Sequence, residues 1–172
     1  LRETALLVAD PQVRYVGTLG GNVANGDPGN DMPAVMLCLD ATYHAAGKAG
    51  ERRIPARQFY QGAYVTALEP GEILTGVVIP PLGAGWRSHF GELARRHGDY
   101  ALVALAAHAR IADGAIAEAR LVFAGVGLTP VRAGRAEAAV SGRRPDAAVL
   151  AEAGRALDAD LDPPPDVHAS AA

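Results

Sequence analysis

The residues best suited to chemistry lie in one run, Arg14-Tyr15-Val16-Gly17-Thr18-Leu19-Gly20-Gly21-Asn22, continuing through Asn25-Gly26-Asp27-Pro28-Gly29-Asn30-Asp31. Gly20-Gly21 is expected to point successive backbone N–H groups into one concavity, because glycine reaches the positive-φ states that such a nest needs. No Cβ would hold a ligand off that backbone, and Thr18 and Asn22 flank it with side-chain donors. The arrangement suits a pyrophosphate or another anion. Gly-Gly pairs are also ordinary turns, so on the residues alone both readings stand.

The oxygen-rich positions Asn25, Asp27, Asn30 and Asp31 raise the question of calcium. Their spacing departs from an EF-hand loop, Pro28 and Gly29 intervene, and no Glu stands downstream where a bidentate ligand is needed. Asp31 reads instead as the N-cap of the helix that follows it. A ribose hydroxyl is a second fitting partner for that carboxylate, since a carboxylate accepts and a hydroxyl donates. His44, His89, His97, His108 and His168 are scattered, with no pair at metal-ligand spacing, so no metal site is assigned. There is no Gly-x-Ser-x-Gly elbow, no Walker loop and no Rossmann fingerprint after a strand, and no catalytic residue is assigned. Cys38 sits among Val35, Met36, Leu37 and Leu39 and reads as a packing residue. Arg95-Arg96-His97-Gly98-Asp99-Tyr100 reads as a polar corner between strands, where Tyr100 has a face free to stack on a flat ring.

These residues need elements to hold them. Apolar spacing predicts a helix over residues 1–9, ended by Asp10-Pro11. Residues 13–31 are too rich in Gly, Asn and Asp to be regular for long. A short helix over 31–39 follows, then strands at 42–46 and 52–55, a helical turn at 57–60 and a β-branched strand at 72–79. Pro80 to Gly85 reads as a linker. Beyond it, 87–94, 101–111 and 115–126 read as three strands, the last two joined by an Asp113-Gly114 hairpin turn. Thr129-Pro130 is expected to open a helix as N-cap and N1, and residues 146–157 form a second. The fold class is α+β, in two lobes at 1–82 and 83–172, the second an antiparallel three-stranded sheet with helices on one face.

Of the 172 residues, 49% are hydrophobic but only 5% aromatic, so the core must be built mainly from Ala, Val and Leu. A net charge of −3 argues against nucleic acid, which needs clustered cations to displace counterions. A single cysteine fits a reducing compartment, and no apolar run is long enough to span a bilayer. The expected location is the cytoplasm. The chain opens on Leu1 inside a helical pattern and stops soon after Pro163-Pro164-Pro165, and is expected to be a piece truncated at both ends.

At this point the chain resembles a family. The run from Leu1 to Asn22, with Asn-Gly-Asp-Pro-Gly-Asn-Asp-Met-Pro following, is similar to the second flavin-binding segment of the medium subunits of molybdenum hydroxylases, the xanthine dehydrogenase family. The last run and Tyr60-Gln61-Gly62-Ala63-Tyr64 look most like the aerobic carbon monoxide dehydrogenase branch. The resemblance implies the second subdomain of a PCMH-type FAD-binding domain, followed by an incomplete C-terminal lobe. It implies FAD as cofactor, with Thr18, Leu19, Gly20, Gly21 and Asn22 on the diphosphate and Asp31 on the adenosine side. Val8 and Leu74 would line the flavin cleft, and Tyr100 would stand beside the isoalloxazine. The implied partners are an iron–sulfur small subunit and a molybdopterin large subunit, which send electrons through FAD to an external acceptor. Two departures stand out: the family's Ala-Gly-Gly-His/Gln-Ser loop is absent, and Glu92 stands where the family often has lysine. Flavin subunits of xanthine, nicotinate or aryl-thioester hydroxylases are the alternatives within the family. A docking piece that binds no flavin is the alternative outside it.

Overall fold

The computed structural model describes residues 1–163. The Pro164 and Pro165 positions, His168 and the tail beyond them lie outside the described residues. Four short helices come first: α1 (Arg2–Leu7), α2 (Pro11–Val16), α3 (Leu19–Asn25) and α4 (Asp31–Cys38). The stretch expected to be irregular over 13–31 thus holds most of α2 and all of α3. Pro11 does not merely end α1; it occupies the first turn of α2, where its missing N–H costs nothing.

Strand β1 (Thr42–Gly47) is the middle of a three-stranded antiparallel sheet, between β2 (Gly50–Pro55) and β5 (Ile73–Val78). A 3-10 turn (Ala56–Gln58) and a small hairpin of β3 (Tyr60–Gly62) and β4 (Val65–Thr66) connect β2 to β5. Arg52 and Glu72 make a two-bond fork, Nε–Oε1 2.7 Å and Nη2–Oε2 2.6 Å, that ties β2 to the start of β5. The Arg52 guanidinium holds the Glu72 carboxyl at about 2, below the usual range.

The second sheet runs β6 (Trp86–Ala94), β7 (Ala101–Ala112), β8 (Ala115–Ala124), β9 (Val131–Arg132), all antiparallel. Asp113 and Gly114 both have positive φ, 51° and 72°, the type I′ turn that their sequence predicts. The helix expected to open at Thr129-Pro130 does not start there. Residues 131–132 pair with β8 as β9, and α5 (Gly134–Val140) begins after it. The ladder bonds of β9 outweigh the local cap signal. Helix α6 (Ala147–Ala156) is capped by Asp146, whose Oδ1 accepts from the Val149 N–H at 2.9 Å.

Side chains alternate across this sheet, and both of its faces are covered. Val103, Leu105 and Phe123 face α5 and α6, while Phe90, Ala104, Ala106, Val122 and Ala124 face α4. Helix α4 is apolar on almost every side, as a helix inside a core must be. Tyr43, Ala45 and Ile54 of the first sheet close the same core. The predominance of alanine brings the backbones close: the buried Cys38 Sγ donates to the Ala106 carbonyl at 3.3 Å. Burial pushes that thiol up to about 12, so Cys38 is an inert packing residue. Just past α4, Asp40 pairs with Arg120 of β8 at 2.7 Å. Among the described residues, no helix is long and apolar enough to cross a membrane.

Candidate functional site

Thr18 starts α3. Its backbone is extended (φ −130°, ψ 153°), and its Oγ1 accepts from the Gly21 N–H at 2.9 Å. That N-cap corrects the expected nest: Gly20 and Gly21 are helical residues and neither has positive φ. A cap acceptor placed three residues ahead rewards continuation as a helix over a glycine turn. The Gly21 N–H is committed to the cap, and the Asn22 N–H to the Thr18 carbonyl at 3.0 Å. Among the described residues, the N–H groups of Leu19 and Gly20 have no protein acceptor. Donors that stay free at a helix start, with the positive end of the helix dipole behind them, suit an anion. A Cβ on Gly21 would lie 3.0 Å from Thr18 Oγ1, while one on Gly20 would meet nothing within 4 Å.

A cleft of about 620 Å³ opens beside this helix start. Val8, Thr18, Leu19, Gly21 and Asn22 line it, together with Ala5, Val13, Val16, Gly17, Asn25, Asn30 and Met32. Arg14 is the one charged residue in that lining. Its Nη1 donates to the Val8 carbonyl at 2.7 Å and to the Ala9 carbonyl, which fixes the guanidinium at the cleft. Sequence reasoning gave Arg14 no role, although it is the sole charge between Asp10 and Asp27. Asn22 Oδ1 is buried without a partner, and the Asn22 carbonyl accepts from Asn30 Nδ2 at 3.0 Å. A second cavity, about 280 Å³ between α1, α4, β6 and β7, contains none of the expected site residues.

The other four expected residues lie outside the cleft lining. Gly20 is on α3 beside it. Leu74 is on β5, half-buried against the core, with α3 packed on that strand. Asp31 does not cap α4: it is the first helical residue, Asn30 is the N-cap, and no side-chain cap bond forms. Instead Asp31 is buried, and burial pushes its carboxyl up to about 7, with the nearby Glu92 adding to the rise. Tyr100 precedes β7 and is exposed, its hydroxyl donating to Asp27 Oδ2 at 3.3 Å. The turn before it is seated by Gly98 (φ 79°), where a Cβ would come 3.0 Å from the Ala9 carbonyl oxygen. The β6–β7 turn therefore rests on the α1–α2 link. Among the described residues, no group of three His, Cys, Asp or Glu side chains is placed to hold a metal ion.

Two family models match the chain. One, for the FAD binding domain in molybdopterin dehydrogenase, covers residues 1–82; the other, for the CO dehydrogenase flavoprotein C-terminal domain, covers residues 88–172. With those two domains in that order, the chain belongs to the FAD-binding medium subunits of the molybdenum hydroxylases. It is similar to the carbon monoxide dehydrogenase medium chain of Afipia carboxidovorans, 53% identical over 76% of this chain and 44% of that one. It is also similar to the alpha subunit of the 6-hydroxypseudooxynicotine dehydrogenase complex of Paenarthrobacter nicotinovorans, 37% identical over 99% of this chain and 58% of that one. Among solved structures, reconstituted CO dehydrogenase from Oligotropha carboxidovorans superposes with a TM-score of 0.93 at 45% identity, covering 99% of this chain and 59% of that one. The chain thus spans about half the length of the relatives it matches.

FAD fits the residues present. The cleft carries one cation and no carboxylate, it borders two free N–H groups at a helix start, and it has one buried amide oxygen, Asn22 Oδ1, that lacks a donor.

Proposed function

We propose that this chain is part of the FAD-binding electron-transfer subunit of a molybdenum hydroxylase of the carbon monoxide dehydrogenase type. In this reading it works in the cytoplasm, in a hetero-oligomer with an iron–sulfur small subunit and a molybdopterin large subunit. Bound FAD supplies the redox chemistry, accepting electrons from the iron–sulfur side and releasing them to an external acceptor. The protein positions it. The Leu19 and Gly20 N–H groups, the Thr18 hydroxyl proton and the Arg14 guanidinium hold the diphosphate. Val8 and Leu74 supply apolar wall, Asn22 Oδ1 accepts from the cofactor, and Asp31 accepts from a hydroxyl on its adenosine side. Tyr100 stands beside the isoalloxazine ring. Residues 1–82 form the cradle, and the lobe that starts at residue 83 brings Tyr100 to it.

The cleft itself carries this reading: an apolar trough with one anchored cation and a capped helix start whose first donors are free. A second reading, the flavin subunit of a hydroxylase for a nitrogen heterocycle, draws on the 37% identity that extends over 99% of the chain to the 6-hydroxypseudooxynicotine complex. Gly21→Asp in the full-length subunit tests the cradle. The new carboxylate displaces the Thr18 cap and faces the diphosphate, so the variant is expected to emerge from desalting without flavin while its far-ultraviolet circular dichroism is unchanged. Wild-type flavin content in that variant would remove the cradle assignment.

A further inference from the structure

Three separate segments meet at Asp27. Its Oδ1 accepts from the Gly29 N–H at 2.9 Å, and its Oδ2 accepts from the Tyr100 hydroxyl at 3.3 Å. Tyr64, in the β3–β4 turn, lies close enough for the Asp27 charge to raise its phenol. Tyr64 is 64% exposed and Tyr100 is 62% exposed, so core packing sets neither ring. Tyr64 also has φ 58°, a left-handed conformation that is costly for a bulky side chain and free for glycine. One bond ties it to the loop: its N–H donates to the Gly26 carbonyl at 2.8 Å.

The loop under the two rings has no side chain at the points of closest approach. A Cβ on Gly26 would fall 2.9 Å from Thr66 Cγ2 and 3.5 Å from the Tyr64 backbone. A Cβ on Gly29 would fall 2.8 Å from Tyr100 Cδ1. The molecule thus strains one exposed tyrosine and clears two loop positions around the carboxylate that the Tyr100 phenol bonds. Burial of the rings does not call for this, because exposed rings bury little area.

We propose that Asp27 is a positioning residue: it fixes the angle of the Tyr100 ring, the aromatic contact for the cofactor's flat ring. The proposal rests on reading Tyr100 as the residue beside the isoalloxazine. With its proton committed to Asp27, the Tyr100 phenol oxygen keeps a lone pair free to accept from a ring N–H. The Asp27 charge raises the Tyr64 phenol above its ordinary value, and burial followed by Asp27 raises Tyr100, so both stay protonated donors at neutral pH.

The test uses the full-length subunit with wild type, Asp27→Ala, Asp27→Asn, Tyr64→Phe and Tyr100→Phe. One readout needs no flavin. In the apoprotein, the urea midpoints of Asp27→Ala, Tyr100→Phe and the double variant are expected to be non-additive, because either change breaks the same bond. The second is the visible circular dichroism of bound FAD, normalised to the FAD retained. Asp27→Ala and Tyr100→Phe are each expected to lose a large part of that signal, and Tyr64→Phe, which removes no bond to Asp27, is expected to keep it. Asp27→Asn, which keeps one acceptor oxygen, is expected to recover part of it. Additive apoprotein midpoints would overturn the clamp itself. A coupled apoprotein with a wild-type flavin signal in Asp27→Ala would reduce Asp27 to a brace of the fold and overturn the positioning role. A wild-type subunit that takes up no FAD would refute the proposed function, and this proposal with it, whatever the apoprotein cycle gives.

Discussion

Replacing Asp31 by Asn tests the electrostatics of the candidate site with a magnitude set by the structure. Asp31 is 8% exposed at the first position of α4, and its carboxyl is raised from 3.8 to about 7, by burial first and by Glu92 second. A carboxyl whose folded value lies above its unfolded one stabilises the fold while protonated, and that contribution is lost as pH rises through the folded value. The loss runs from about pH 4 to about pH 7. A shift of roughly three units at 1.36 kcal/mol each sets a ceiling of ~4 kcal/mol, and relaxation around the buried charge trims it to ~2–4 kcal/mol. Asn mimics the protonated carboxyl and has no such dependence. In urea titrations of the full-length apoprotein, Asp31→Asn should match wild type near pH 4 and exceed it by that amount at pH 8. Glu92→Lys should move the wild-type transition to lower pH by replacing a repulsion with an attraction. An Asn variant with no advantage at pH 8, or one equally advantaged at both pH values, would refute the reasoning. If Asp31 accepts from a cofactor hydroxyl, FAD should also bind wild type more tightly as pH rises from 6 to 8, and this dependence should vanish in the Asn variant.

Further outcomes follow from neighbouring residues. Arg14→Gln should weaken FAD binding about tenfold or more and flatten its salt dependence, since a charged hydrogen bond is worth ~1.5–3 kcal/mol; equilibrium dialysis at two ionic strengths measures both. Tyr100→Ala should change the rate of flavin reduction by stopped flow more than it changes flavin content. A collapse of content would make Tyr100 an anchor of the cofactor. Gly98→Ala should lower the urea stability by ~1 kcal/mol or more, because Gly98 has φ 79° and a Cβ would press on the Ala9 carbonyl oxygen at 3.0 Å.

The sheets were largely legible in the sequence because their signals are local. Asp113-Gly114 specifies its own turn, and the β-branched run at 73–79 can be little other than a strand. Cys38 was legible for a similar reason, since its helix has no polar side to turn toward water. Of the helices before it, α1 was expected over residues 1–9 and forms over Arg2–Leu7, whereas α2 and α3 were not expected. Helices α2 and α3 are six and seven residues long, too short to hold by propensity; α3 is held by its packing on α4, β4 and β5, and Pro11 starts α2. Gly20-Gly21 looked like a turn because composition does not reveal that the Thr18 hydroxyl would cap the pair into a helix. Asp31 looked like a cap because its burial, and the approach of Glu92 from β6, depend on how the two lobes meet. Arg14 was visible as an isolated charge, but its anchoring on the Val8 and Ala9 carbonyls exists only once the α1–α2 link turns those carbonyls toward α2. Tyr64 gave no signal at all, because nothing in a Gly-Ala-Tyr-Val sequence announces a left-handed tyrosine.

The most direct measurement is the visible absorption spectrum of the full-length subunit after desalting, with the released cofactor identified by mass. A flavin spectrum, FAD as the released species and about one FAD per subunit are expected. A folded, colourless subunit that also takes up no added FAD would contradict the proposed function.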